Sequence, residues 1–167
     1  MKKGKYRELV ENVGLLSISN FTSKLLTFLL VPLYSRTLSQ GEYGTIDIIQ
    51  TTINLMVPIL TLCINEAIIR FALDKSQNSS EILKIGLKIT LKSSIIFAIL
   101  GIFAIILGIS KTYVILAILY YFTYSINLLL NQFLKGNDQI KDLVVTGISN
   151  TTIVIVLNII FLIYLKI

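Results

Sequence analysis

The sequence predicts an all-α, polytopic transmembrane helix bundle. Three observations predict it: five long apolar stretches, a shortage of charge, and a positive bias confined to alternate connectors. Of the 167 residues, 54% are hydrophobic and 14% charged, with a mean hydropathy of +0.81. Soluble domains carry about 25% charged residues, so too little polar surface exists here to cover a soluble globule. A spanning helix needs about 20 mostly apolar residues, and such stretches run over 12–34, 44–66, 87–109, 112–134 and 143–165. A single cysteine, Cys63, excludes a disulfide framework or a Cys-based metal cluster, and the lack of any His removes imidazole ligation and Ser-His-Asp chemistry. Neither a metal nor a cofactor is expected. The net charge of +6 is read as membrane sidedness rather than affinity for nucleic acid.

In span one, Ser17, Asn20, Ser23, Lys24 and Thr27 share one side of a helix, and Ile18, Phe21, Leu25, Phe28 and Leu29 the other. Lys24 lies near the middle, where a cation costs about 2.5–3.5 kcal/mol unless paired or hydrated. Two readings stay open for it. In the first, it pairs with Asp47, which stands nearer the outer surface by roughly 7 Å, at a rise of 1.5 Å per residue, within reach of a long Lys stem. In the second, Lys24 draws an anionic substrate group into a water-filled cavity, and the extent of the polar faces favours this one.

Gly41 lies in the connector before span two. There Asp47, Thr51, Asn54, Pro58, Thr61 and Asn65 follow at alternating steps of four and three, a stripe along nearly the whole helix, with Gln50 beside it. Glu66 and Arg70, one turn apart at its end, are expected to form an interfacial ion pair. The connector 67–86 reads as a solvent loop around Asp74–Ser80 that feeds an interfacial helix at Glu81–Lys84.

Span three carries a seam of Ser94, Ala98, Gly101 and Gly108 suited to tight packing, with Lys84, Lys88 and Lys92 stacked at its start and read as snorkelling to headgroups. A turn at Ser110 and Lys111 leads to span four. Its stripe of Tyr113, Tyr120, Tyr124, Asn127 and Asn131 fits either sugar stacking and hydrogen bonding or helix packing. Lys135–Asp138 breaks the helix before span five, where Gly147, Thr151 and Asn158 share a side. With the N-terminus in the cytoplasm, 11 Lys and Arg fall inside and 3 outside, Lys24 set aside as intramembrane. That follows the positive-inside bias at every connector. Residues 1–167 are expected to form one transmembrane domain of a partial chain.

The segment from Lys24 through Pro32-Leu33-Tyr34-Ser35-Arg36 to Glu42-Tyr43-Gly44 resembles bacterial polysaccharide flippases of the Wzx type, the transporters of O-antigen and capsule precursors. The similarity continues through Asn65–Phe71 and Asn131–Gly136. The resemblance implies part of the first six-helix bundle of the multidrug, oligosaccharidyl-lipid and polysaccharide exporter fold. It implies transfer of an undecaprenyl-pyrophosphate-linked oligosaccharide between leaflets of the cytoplasmic membrane, alongside polysaccharide assembly machinery. Lys24, Asn20, Asp47, Asn54, Tyr124 and Asn127 are the expected pathway residues. A membrane enzyme fits less well, because the nine acids are scattered and His is missing. A small membrane carrier working as an oligomer, or a remnant without function, would be built from the same spans.

Overall fold

The computed structural model describes residues 38–74 and 78–160, without the side chains of 158 and 159, together with residues 10, 11, 13, 14, 17, 21, 24, 25, 28, 31 and 32. The last group is helical throughout. Five helices follow among the described residues, with no strand: α1 (Gln40–Leu60), α2 (Ile64–Leu73), α3 (Ser79–Ile106), α4 (Lys111–Gly136) and α5 (Ile140–Ile159). The fold is all-α, as the apolar stretches require. Asn20, Ser23, Thr27 and residues 161–167 lie outside the described residues, as do Lys2, Lys3, Lys5, Arg7, Arg36, Lys75 and Lys166 of the charge asymmetry. The chain groups into two compact units, one of Met1–Gly44 with Gln139–Ile167, the other Thr45–Asp138.

α1 opens on a capping box. The Ser39 amide and hydroxyl donate to one Glu42 carboxylate oxygen at 2.8 and 2.7 Å, and the Glu42 amide donates to the Ser39 hydroxyl at 3.3 Å. These bonds hold the Glu42 carboxyl below its ordinary value.

Span two, expected as one rod over 44–66, is broken. Pro58 inside α1 lacks an N–H, and one turn on the helix closes with Leu62 N donating to Ile59 O at 3.3 Å and Cys63 N to Pro58 O at 3.0 Å. Leu62 and Cys63 take left-handed φ of 53° and 54°, a Schellman-type stop built without glycine. α2 then leaves at 56° to α1.

The expected separate interfacial helix at Glu81–Lys84 is likewise corrected. α2 continues to Leu73, and α3 starts at Ser79, where the Asn78 side chain accepts from the Ser80 amide at 3.0 Å. Glu81–Lys84 is therefore the first turn of the spanning helix itself, whose 28 residues rise about 42 Å. α3 stops at Gly108, φ +94°, with Gly108 N donating to Ile105 O at 3.0 Å and Ile109 N to Ala104 O at 3.1 Å. Gly108 thus ends the helix and has open space around it. It does not belong to the packing seam.

The close approaches fall at three other glycines. A Cβ at Gly101 would meet Ile118 and Val114, at Gly86 it would meet Ile68 and Leu129, and at Gly136 it would meet Ala72 and the Ile69 backbone. α3 and α4 are thereby antiparallel, with α2 lying along the second half of α4. Ser79 Oγ donates to Asn137 Oδ1 at 2.9 Å, tying the start of α3 to the end of α4. At the other end of this unit Phe97 stacks on Tyr121, centroids 4.2 Å apart, and Ile53, Val57 and Tyr121 form the buried core.

Among the described residues α3, α4 and Ile140–Leu157 of α5 are each long and apolar enough to cross a membrane, and the bent pair α1–α2 makes a fourth candidate. These four candidates correspond to the expected spans two to five, and 12–34 lies mostly outside the described residues. Ile95, Ile99, Ile102 and Ile106 of α3 are all exposed. Such a row is disfavoured in water and suited to lipid tails, so these helices contact the bilayer.

Candidate substrate pathway

α1 has two distinct sides. Ile53 and Val57 are buried, and Ile49, Met56 and Leu60 pack around them. Asp47, Thr51, Asn54 and Pro58 are exposed, at roughly 100–160° around the helix from Ile53 by the 100° step per residue. The polar stripe is real but shorter than the spacing indicated. Past the break it turns inward, and Thr61 and Asn65 are 0% and 2% exposed. The 56° bend re-aims the face, so the last two stripe members pack inside their unit and leave the open side of α1.

The α4 stripe divides as well. Tyr124 is half-buried and packs against the Ile53–Val57–Tyr121 core, while its ring lies 5.7 Å from that of Tyr120. Asn127 is exposed, and its Oδ1 accepts from Asn131 Nδ2 at 2.8 Å. Tyr113 faces an apolar cavity of about 400 Å³, shared with Ile48, Met56, Leu100 and Ala117. The two amides keep hydrogen-bonding capacity; of the tyrosines, Tyr124 packs against the core, and Tyr113 and Tyr120 are exposed.

Lys24 is helical and exposed, and so are Ser17, Phe21, Leu25 and Phe28. It belongs to the first compact unit and Asp47 to the second. Asn20 lies outside the described residues. Glu66 and Arg70 sit one turn apart on the exposed side of α2. Lys84, Lys88 and Lys92 are exposed on α3, with exposed Ile85 and Leu91 beside them. Among the described residues no cluster of three or more Cys, Asp or Glu groups could hold a metal ion.

Spacing did not reveal the buried polar residues Thr90, Ser93 and Ser125. Small hydroxyls in apolar helices give no periodic signal, and here each hydroxyl of Ser93 and Ser125 is turned back onto a carbonyl of its own helix.

Comparison with curated proteins and with solved structures gives no match. The family model described as polysaccharide biosynthesis protein matches residues 9–167. With apolar helices that contact the bilayer and a match over nearly its whole length, the chain is a membrane protein of the polysaccharide biosynthesis family.

Proposed function

We propose that this chain forms one wall of a transmembrane route along which an undecaprenyl-pyrophosphate-linked oligosaccharide crosses from the cytoplasmic to the outer leaflet, its N-terminus on the cytoplasmic side. The observation that carries the proposal is the two-sidedness of α1. One side is locked into the core by Ile53 and Val57, and the other presents Asp47, Thr51 and Asn54 to the open. Polar groups on a spanning helix are costly against lipid and are kept where they meet water or a polar solute. Lys24, Asn20, Tyr124 and Asn127 join this wall, Lys24 as the group that attracts the pyrophosphate. The bent α1–α2 span adds support, since discontinuous helices line the binding sites of many transporters. The work is transport without a chemical step, in the cytoplasmic membrane, on behalf of O-antigen or capsule assembly. In a larger two-bundle transporter this segment would rock against a second wall.

Complementation of a flippase-deficient strain with the reading frame that encodes this chain tests the proposal. Restored surface glycan, lost in the Asp47→Leu, Asn54→Leu double variant at unchanged membrane abundance, is the expected result. Restored glycan that survives the double substitution would remove α1 from the route.

A further inference from the structure

The outer side of α3 carries one unbroken line of exposed residues. Lys84, Lys88 and Lys92 come first, and Ile95, Ile99, Ile102 and Ile106 continue the line at alternating steps of three and four. At 100° per residue all of them stand roughly 130–175° around the helix from the buried Gly86, Thr90 and Ser93. The line changes character once, from cations to branched apolar side chains.

The depth of the change follows from length. The 28 residues of α3 rise about 42 Å, about 12 Å more than the hydrocarbon layer. Gly108 and Lys111 fix the far end of the helix at the opposite surface, so the surplus lies at its start. The hydrocarbon edge then falls near Lys88, with Lys84 outside it and Lys92 a little more than one turn within. Side chains on a helix lean toward its N-terminus. All three ammonium groups are therefore directed to the headgroup layer at the α3 start, and the isoleucines line the acyl region beyond it.

This ladder is electrostatically costly by itself. Like charges one turn apart repel, and cations in the first half of a helix oppose its dipole. Glu81, in the first turn of α3, is on the same side and offsets part of that cost. Asp74 and Asp138 stand in the connectors at that end. From Ile82 to Asn137, however, the sequence contains no Asp or Glu, so neither α3 beyond its first turn nor α4 supplies a counter-charge. Exposed Lys135, at the α4 end that Asn137 ties to Ser79, adds another cation there. Water solvates the ammonium groups and leaves their mutual repulsion in place. An anion removes it.

We propose that the outer side of α3 is a binding site for an anionic phospholipid. Its phosphate lies among Lys84, Lys88 and Lys92, and its acyl chains lie along Ile95, Ile99 and Ile102. Charge complementarity chooses the headgroup, and the isoleucine row chooses a lipid over a soluble anion. The leaflet is the one at the α3 start, the cytoplasmic one in the orientation proposed above. The site is separate from the polar side of α1 and needs no assumption about what is carried.

The test is electron spin resonance of the full chain in phosphatidylcholine vesicles, with chain-spin-labelled phosphatidylglycerol or phosphatidylcholine reporting relative association at the protein surface. Phosphatidylglycerol should be preferred at least about fivefold, the factor that one lysine near the surface supplies, and added salt should shrink the preference. The triple variant Lys84→Gln, Lys88→Gln, Lys92→Gln should bring the two lipids close to parity, and the corresponding Arg triple should keep the preference. Lys2→Gln, Lys3→Gln, Lys5→Gln, which lowers the net charge equally, should keep it too. Equal association of both lipids with the wild-type chain would overturn the proposal. So would a preference that survives the α3 Gln triple, or one lost equally in the N-terminal triple, since net charge would then be its cause. Displacement of the labelled phosphatidylglycerol by equimolar undecaprenyl pyrophosphate, where equimolar unlabelled phosphatidylglycerol does nothing, would assign the ladder to the carried lipid and overturn it as well. The wild-type comparison decides even where a variant fails to insert, and lipid association is read without any measurement of export.

Discussion

A cation on a membrane helix costs about 2.5–3.5 kcal/mol when unpaired at the centre, and Lys24 stands exposed on its helix. If its charge serves the route, Lys24→Arg should retain glycan export, and Lys24→Gln should lose most of it at normal membrane abundance. A structural pair with Asp47 has another signature: the exchange Lys24→Asp with Asp47→Lys should then restore abundance and export together. Export assays run beside membrane immunoblots separate the two. The sides of α1 can be read more directly. In a Cys63→Ser background, needed because the free Cys63 is exposed, a cysteine at Asn54 should react with a charged thiol reagent and one at Ile53 should not. Equal labelling at both would contradict the assignment of faces. At this scale the sequence shows Asp47, Thr51 and Asn54 clearly, because a period of 3.6 needs only one straight helix. It could not show that Thr61 and Asn65 leave the stripe, since their side depends on a bend that lies between Asn54 and Asn65.

That bend is an element-scale feature, and it is hard to read for a physical reason. Helix stops are signalled by glycine at the left-handed position, and here Leu62 and Cys63 occupy it. A non-glycine residue in this region costs roughly 1–2 kcal/mol. Leu62 is 86% exposed, so little packing is lost on truncation. Leu62→Gly should stabilise the chain by about 1 kcal/mol and Leu62→Val should destabilise it, measured as urea unfolding midpoints in mild detergent. The start of α1 was legible in principle, through Ser39 and Glu42 at capping-box spacing. Its carboxyl lies lower than the ordinary 4.5, chiefly through the Ser39 hydroxyl bond and then the Ser39 amide bond. A lowered folded value means that the cap is intact above the ordinary value and is lost as pH falls through the lowered one. The carboxyl ¹³C shift of Glu42 should therefore titrate with a midpoint below that of a free glutamate. A midpoint at or above the free value would mean that the box does not form.

Across the whole molecule, the class of fold was legible because membrane solvent imposes long apolar helices and little else. Helix count was less legible, because Pro58 and the left-handed pair divide one apolar stretch into α1 and α2. The packing was least so, since Gly86 and Gly136 act through helices distant in sequence, Ile68 and Ala72 among their neighbours. The same long-range contacts show that the α3 start and the α4 end share one end of their unit, joined by Ser79 and Asn137. Two successive crossings require this. Site-specific photocrosslinking in cells tests the proposed route most directly, with a diazirine amino acid placed at Asn54 or at the exposed Ile48 of the same helix. Position 54 should capture a glycan-bearing isoprenoid lipid, detected by lectin blot, and position 48 should capture phospholipid alone. Adducts free of glycan at 54, or equal glycan capture at both positions, would contradict the placement of the route along the polar side of α1.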